Sequence, residues 1–144
     1  PGLPHRQQFV REINGVRWIN DSKATNADAA GKALASYERI YWIAGGRPKE
    51  GGLHGTGQFM DRVSYAFLIG EAQEEFAHWL ERHEKSYERC GTLDKAVAAA
   101  FKRARPGSVV LFSPACSSFD QFRNFEHRGD VFMALVRELK EKTA

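Results

Sequence analysis

The chain has 144 residues, of which 42% are hydrophobic and 27% are charged, a composition typical of one globular domain. Its net charge is only +3, from 21 basic and 18 acidic residues, and the basic residues form no dense stripe interleaved with aromatic side chains. No apolar run approaches the ~20 residues that a membrane-spanning helix needs. We therefore expect a single domain over residues 1–144, with neither nucleic acid nor a membrane as its partner.

The first half of the chain contains three predicted strands and one clear helix. Residues 8–13 and 16–20 read as two strands, and the Asn14-Gly15 pair between them is a strong hairpin signal. Asn26 caps an alanine-rich helix that reaches about residue 37. Residues 40–44 form an apolar strand, followed by a glycine-rich segment and a short predicted helix near residues 58–63.

The second half alternates strands and helices. Strands are predicted at residues 66–69, 86–90 and 108–112, the middle one being the weakest. Helices are predicted over residues 72–83, from Thr92 to the Pro106-Gly107 stop, and over residues 130–142.

This alternation predicts an α/β fold with a mostly parallel sheet covered by helices on both faces and an N-terminal β-hairpin. Right-handed crossovers then place all strand-to-helix loops at one edge of the sheet. The loops at residues 21–25, 45–49, 70–71 and 113–118 are expected to converge there. Because these loops hold the unusual polar residues of the chain, we expect a binding site at that edge.

Residues 20–26 are the most polar strand exit, with a carboxylate, an ammonium, two hydroxyls and two amides in seven positions. Helix capping accounts for an Asn, Asp or Thr at this place. It does not account for Lys23, because a cation is unfavourable near a helix N-terminus unless an anion lies close. This segment therefore favours an anionic ligand.

Two other loops allow more than one interpretation. Gly45-Gly46 with Arg47 and Lys49 is either a flexible turn or an anion site, and it is not a Walker A loop. Cys116 is either a packing residue or a nucleophile, and Ser117 and Ser118 suit a bound carboxylate better than covalent catalysis.

The remaining titratable residues predict neither a metal site nor a disulfide framework. The five histidines have no metal-ligand spacing, so structural or surface roles are expected for them. Cys90 and Cys116 lie far apart in sequence, which favours a reducing, cytoplasmic setting.

Four segments, in order, resemble the C-terminal domain of the Mur ligase family: Leu3-Pro4-His5-Arg6, residues 20–26, Gly45-Gly46-x-x-Lys49, and residues 113–129. The Asp-Ser-Lys-Ala-Thr-Asn order of residues 21–26 resembles the branch of the family that adds D-glutamate. The resemblance covers essentially the whole chain and implies a Rossmann-like fold.

The resemblance implies the third domain of a cytoplasmic, ATP-dependent amide ligase that adds D-glutamate to UDP-N-acetylmuramoyl-L-alanine in peptidoglycan synthesis. ATP and Mg²⁺ would be bound mainly by a central ATPase domain, against which this domain packs. Residues 1–6 would then be the end of an interdomain linker, and the isolated domain, without a catalytic residue of its own, would be inactive. A free-standing Rossmann-type module that binds an anionic metabolite is the alternative, and a hydrolase using Cys116 is a third.

The resemblance also implies roles for individual residues. Those that would hold D-glutamate or the glutamyl product are Lys23, Thr25, Lys49, Ser118, Phe119 and Phe125. Those that would contact the nucleotide are Arg6 and Asp21. The sequence departs from the family pattern at Pro48, where an aspartate is usual. The sequence alone therefore does not define the conformation of this loop or how far the Lys49 side chain extends.

Overall fold

A computed structural model describes residues 3–141 of the chain. Its sheet has six strands in the order β1-β2-β6-β3-β4-β5. The strands are β1 Gln8–Ile13, β2 Val16–Asn20, β3 Ile40–Gly45, β4 Val63–Ile69, β5 Tyr87–Gly91 and β6 Val109–Phe112. The helices are α1 Ala27–Leu34, α2 Gln73–Arg82, α3 Leu93–Arg103 and α4 Phe125–Glu138, with a 3-10 helix at Gly57–Arg62.

The predicted hairpin is confirmed, with β1 antiparallel to β2. Asn14 and Gly15 connect the strands with φ of 53° and 76°. Two left-handed residues in a row form the two-residue turn whose twist matches that of the flanking strands.

The other strand pairs are parallel, which confirms the predicted α/β class. Asn20 of β2 lies beside Phe112 of β6, Phe112 beside Ile43 of β3, and Ile43 beside Phe67 of β4. Because the strands are in register at this row, the loops that leave them begin at nearly the same height.

Helices cover both faces of the sheet. On one face, α1 and α2 pack their buried Leu34 and Phe76 side chains against a cluster that includes Trp42 and Leu68. On the other, α3 and α4 belong to a cluster that includes Trp18, Phe67, Phe112 and Phe132. The alternation of β-strand side chains divides neighbours such as Trp42 and Ile43 between the two clusters.

The predicted start of the last helix is wrong. Helix α4 begins at Phe125, five residues before the predicted residue 130, because the Asn124 side chain accepts a hydrogen bond from the His127 N–H at 2.7 Å. It ends at Glu138, and residue 142 lies outside the described residues.

Two other boundaries also differ from prediction. Helix α1 ends at Leu34 rather than near residue 37, and the left-handed turn at Arg39, with φ of 54°, follows it into β3. Strand β4 starts at Val63 rather than at residue 66, because Val63 pairs with Ile40 of β3. Within residues 3–141, no helix combines the length and apolar character needed to cross a bilayer.

Candidate functional site

The loops that leave the parallel strands meet at one edge of the sheet, as predicted. The loop after β2 is bonded to β6 and its exit, since the Asp21 N–H donates to the Phe112 carbonyl at 2.8 Å and the Ala115 N–H donates to the Ala24 carbonyl at 2.9 Å. These main-chain bonds join two loops about 90 residues apart in sequence into one surface.

The glycine-rich loop after β3 is bonded to the same surface. Arg47 and Ser117 form an antiparallel bridge, with N–H to carbonyl distances of 3.0 and 3.2 Å. Gly46 precedes the bridge with φ of 136°, and a Cβ there would lie 2.5 Å from the Ser117 carbonyl oxygen. Only glycine fits this approach, so the Gly45-Gly46 pair is needed to dock the loop.

Four of the six residues expected to hold the glutamyl group lie in two contacts on this surface. The Lys49 ammonium is 3.4 Å from the Thr25 hydroxyl oxygen. The Lys23 ammonium is 5.7 Å from the centre of the Phe125 ring, within cation–π range. Both lysines are exposed, and Lys49 reaches Thr25 despite Pro48 in its loop.

Ser118 and Phe119, the other two, are placed differently from one another. Ser118 is buried, with 2% of its surface exposed, and its carbonyl accepts from the N–H groups of Gln121 and Phe122. The Phe119 side chain is 60% exposed at the same edge. The loop thus presents an aromatic ring to solvent and keeps the serine beneath it.

Asp21 is buried and already engaged in hydrogen bonds. One carboxylate oxygen accepts from the Gln7 N–H at 3.0 Å and the other from the Ser113 hydroxyl at 2.7 Å. Burial raises the pKa of Asp21 from 3.8 to about 6, although both hydrogen bonds and the charge of Arg6 oppose the rise. Asp21 therefore holds the segment before β1 against the edge of the sheet, a structural role that sequence analysis did not assign.

A groove of about 590 Å³ lies beside this carboxylate. Its lining carries three cations and two carboxylates, from Arg6, Lys23, Lys32, Asp21 and Asp28. Lys32 is 3.9 Å from Asp28 and so is partly neutralised, whereas Arg6 and Lys23 flank Asp21 along the chain. The groove suits a ligand with anionic groups and hydroxyl donors.

His5 fixes the chain in front of the groove. Its carbonyl accepts from the Lys23 N–H at 2.9 Å, and its Nδ1 lies 3.0 Å from the Asn20 amide nitrogen. An amide nitrogen can only donate, so Nδ1 is the acceptor in this contact, and Nε2 lies 3.6 Å from Asp130. A Cβ at Gly129 would collide with the His5 ring, so the imidazole can pack in this position only because residue 129 is glycine.

Arg128 is a site residue to which sequence analysis assigned no role, although it lies in a segment that carries the resemblance. It is 1% exposed, and its guanidinium donates to the Ser22 hydroxyl and carbonyl at 2.9 and 2.6 Å and to the Cys116 carbonyl at 3.1 Å. All of these acceptors are neutral, and burial lowers its pKa to about 10. Arg128 therefore connects the loops after β2 and β6 from the buried side of the candidate site.

Cys116 belongs to the core rather than to the surface. Its side chain is fully buried, and burial raises the pKa of the thiol to about 12. A protonated, buried thiol is a poor nucleophile, which removes the physical basis of the hydrolase alternative. Across residues 3–141, no cluster of three or more His, Cys, Asp and Glu side chains is arranged to hold a metal ion.

Comparison with known proteins decides the family. The protein-family model described as "Mur ligase, glutamate ligase domain" matches residues 5–116, more than half of the chain. The chain belongs to the Mur ligase family. The resemblance seen in four short segments is thereby confirmed.

Several relatives share more than half of their aligned residues with this chain, and the two described next are both named UDP-N-acetylmuramoylalanine–D-glutamate ligase. The one from Paramagnetospirillum magneticum is 57% identical over 141 residues, covering 95% of this chain and 31% of the relative. The one from Rhodospirillum rubrum is 54% identical over 148 residues, covering 100% of this chain and 31% of the relative. The chain thus spans about a third of these relatives' length.

Solved structures of other Mur ligases share the fold. The UDP-N-acetylmuramate-alanine ligase from Thermotoga maritima superimposes with a TM-score of 0.66 at 14% identity, covering 96% of this chain and 31% of that one. At that identity the likeness concerns the fold alone, and it confirms the predicted Rossmann-like class.

Proposed function

We propose that this Mur ligase chain is the C-terminal domain of an ATP-dependent amide ligase that adds D-glutamate to UDP-N-acetylmuramoyl-L-alanine in cytoplasmic peptidoglycan synthesis. The D-glutamate ligases among its relatives support this choice. The observation that carries it is the contact of Lys49 with Thr25, two residues after Lys23, at the edge where the strand loops meet.

Lys23 and Lys49 match the chemistry of a glutamyl group. D-Glutamate brings two carboxylates, and this surface offers two exposed ammoniums with the Thr25 hydroxyl beside one of them. Charge-assisted hydrogen bonds of this kind are about twice as strong as neutral ones. Phe125 supplies an apolar wall that Lys23 already contacts.

Ser118 and Phe119 complete the proposed glutamyl site. The exposed Phe119 ring forms a rim, and its main-chain N–H is a further donor for a carboxylate. The buried Ser118 hydroxyl contacts the ligand from beneath, which requires the loop of residues 113–118 to shift as the ligand enters.

Arg6 and Asp21 are proposed to contact the nucleotide in the groove that they line. The guanidinium of Arg6 is a permanent cation with a donor fork that suits a polyphosphate, and Asp21 suits ribose hydroxyls. Bound ATP with Mg²⁺ supplies the phosphoryl group that activates the acceptor carboxylate. The central ATPase domain of the same protein would hold most of the nucleotide and the metal.

The chain's own contribution would be positioning. Its lysines would hold the two D-glutamate carboxylates so that the amine points out of the domain, toward the activated substrate on the central domain. Closure of this domain would bring the two together and exclude water. Residues 1–6 would be the end of the linker on which it closes, and the isolated chain would be inactive.

The test is Lys23→Ala in the full-length ligase, assayed by ATP- and D-glutamate-dependent phosphate release. We expect kcat/KM for D-glutamate to fall about 10- to 100-fold, since a charge-assisted hydrogen bond to the substrate is lost. Lys95→Ala is the matched control, because Lys95 is an exposed lysine of α3 outside the proposed site.

Wild-type kinetics for Lys23→Ala would overturn the site. A full-length protein that binds a different anionic metabolite and shows no ligation would support the free-standing binding module instead.

A further inference from the structure

Asp120 comes directly after Ser118 and Phe119 in the chain, and the proposed function does not use it. Its side chain is partly buried, and one carboxylate oxygen accepts from the Glu71 N–H at 3.1 Å. A Cβ at Gly70 would collide with the same oxygen, so the carboxylate lies directly against the exit of β4. This hydrogen bond joins the exit loops of β6 and β4, although its two residues are 49 positions apart in sequence.

The turn of residues 118–122 is attached to two more strand exits. The bridge to the loop after β3 lies just before the turn, at Ser117. The Gln121 side-chain amide donates at 3.0 Å to the carbonyl of Gly91, the last residue of β5. Of these three attachments, the Asp120 bond is the one that uses a charged group, and charge-assisted hydrogen bonds are about twice as strong as neutral ones. Asp120 is therefore the main side-chain restraint on the turn.

We propose that Asp120 is a positioning residue for D-glutamate, which holds the turn against β4 and so keeps the Phe119 N–H and the Ser118 hydroxyl at the glutamyl site. This inference rests on the proposed function, in which those two groups bind the substrate. Asp120 acts through the main chain and is assigned no contact with D-glutamate. A turn without this bond presents its donors correctly for only a fraction of the time, and the apparent affinity falls by that fraction.

A purely electrostatic role for Asp120 predicts the opposite effect on substrate binding. D-Glutamate carries two carboxylates and one ammonium, so a nearby carboxylate repels its net negative charge. Removal of the Asp120 charge would then tighten binding of D-glutamate. Positioning predicts weaker binding when the acceptor is removed, because the turn is released. The direction of the change in KM for D-glutamate therefore separates the two roles.

The experiment compares Asp120→Ala and Asp120→Asn in the full-length ligase, assayed by phosphate release with D-glutamate and ATP varied in turn. Asp120→Ala removes the acceptor, so we expect KM for D-glutamate to rise about tenfold and kcat to stay within about twofold. KM for ATP should also stay within about twofold, because the proposed nucleotide groove lies at the exit of β2, three strands away from β4. Asp120→Asn keeps an uncharged acceptor oxygen in place, so KM for D-glutamate should remain within about threefold of the wild type.

Glu71→Ala is the matched control for these variants. It removes a second carboxylate from the same edge of the sheet, together with its 3.3 Å pair to Arg47, but keeps the main-chain N–H that donates to Asp120. Both side chains of that pair are about half exposed, so their interaction contributes little. We expect KM for D-glutamate in Glu71→Ala to stay within about twofold of the wild type.

An unchanged or lower KM for D-glutamate in Asp120→Ala would overturn this inference and leave the ligase proposal intact. Equal rises in Asp120→Ala and Asp120→Asn would also overturn it, because the acceptor would then not be the group that matters. A parallel rise in KM for ATP would show a general loss of structure instead of positioning. A wild-type protein that does not ligate D-glutamate would overturn the proposed function, and this inference with it.

Discussion

Asp21 shows how one residue serves both the fold and the proposed nucleotide site. Its carboxylate is paired with the Gln7 N–H and the Ser113 hydroxyl, yet burial still raises its pKa to about 6. A carboxyl group with a higher pKa in the folded state binds its proton more tightly there. Its contribution to stability is therefore full below pH 3.8 and is lost as the pH rises through about 6.

Asp21→Asn is expected to stabilise the chain at neutral and higher pH. The amide keeps a similar shape without the buried charge, so the free energy of unfolding should exceed that of the wild type by about 1–3 kcal/mol at pH 8 and match it near pH 4. Urea unfolding of both chains across this range measures the difference. A variant less stable than the wild type at pH 8 would contradict the assigned cause of the pKa shift.

Lys23 and Arg128 mark what the sequence can and cannot predict about single residues. Lys23 was identified because a cation at a helix start needs an anion, and the local sequence suffices for that argument. The burial of Arg128 depends on Ser22 and Cys116, which reach it from distant parts of the chain. No local pattern predicts such a contact, because a lone arginine on a helix is usually exposed.

Helix α4 is the element on which the proposed glutamyl site depends most. It starts at Phe125, which Lys23 contacts, and it carries Arg128 one turn later. The Asn124 side chain sets that start by accepting from the His127 N–H. The position of the cap therefore determines where the aromatic wall of the proposed site lies.

Asn124→Ala should lower the free energy of unfolding by about 1 kcal/mol, the usual cost of losing an N-cap. Urea unfolding of the 144-residue chain measures this. Asn124→Asp is the matched control, because its carboxylate still caps the helix and suits the positive end of the helix dipole. Equal losses in both variants would show that Asn124 acts through something other than its cap.

The elements differ in how well the sequence predicts them, and the reason is physical. Strand β3 is apolar on both faces and ends in two glycines, so its position was predicted closely. The start of α4 was predicted five residues too late, because the Asn124 cap lies before the amphipathic pattern on which the prediction rested. Asn124 with Glu126 in the first turn was the available signal.

At the scale of the whole molecule, the segment before β1 is bound to the sheet although it is the proposed end of a linker. His5 and Gln7 adopt left-handed conformations, with φ of 66° and 42°. Such conformations cost free energy in non-glycine residues and persist where tertiary contacts hold them. Here the contacts are those of His5 with Lys23 and Asn20, and that of Gln7 with Asp21.

Gly129→Ala should release this segment without unfolding the sheet, because the added methyl group collides with the His5 ring. We expect trypsin to cleave after Arg6 about tenfold faster, the factor for roughly 1.4 kcal/mol of lost contact. Mass spectrometry of the fragments over time measures the rate.

Asp130→Asn is the control for that experiment. It removes only the 3.6 Å pair between His5 and an exposed carboxylate, so cleavage should accelerate much less than in Gly129→Ala. Cleavage of Gly129→Ala at the wild-type rate would show that packing of the His5 ring against Gly129 does not hold the segment before β1 in place.

The hydrogen bond from the Lys23 N–H to the His5 carbonyl joins two backbone segments that are 18 residues apart in sequence. Arg6 follows His5 directly, so the backbone beneath the proposed nucleotide contact is tied to the backbone beneath the proposed amino-acid contact. While this bond persists, a displacement of one of these backbone segments is transmitted to the other.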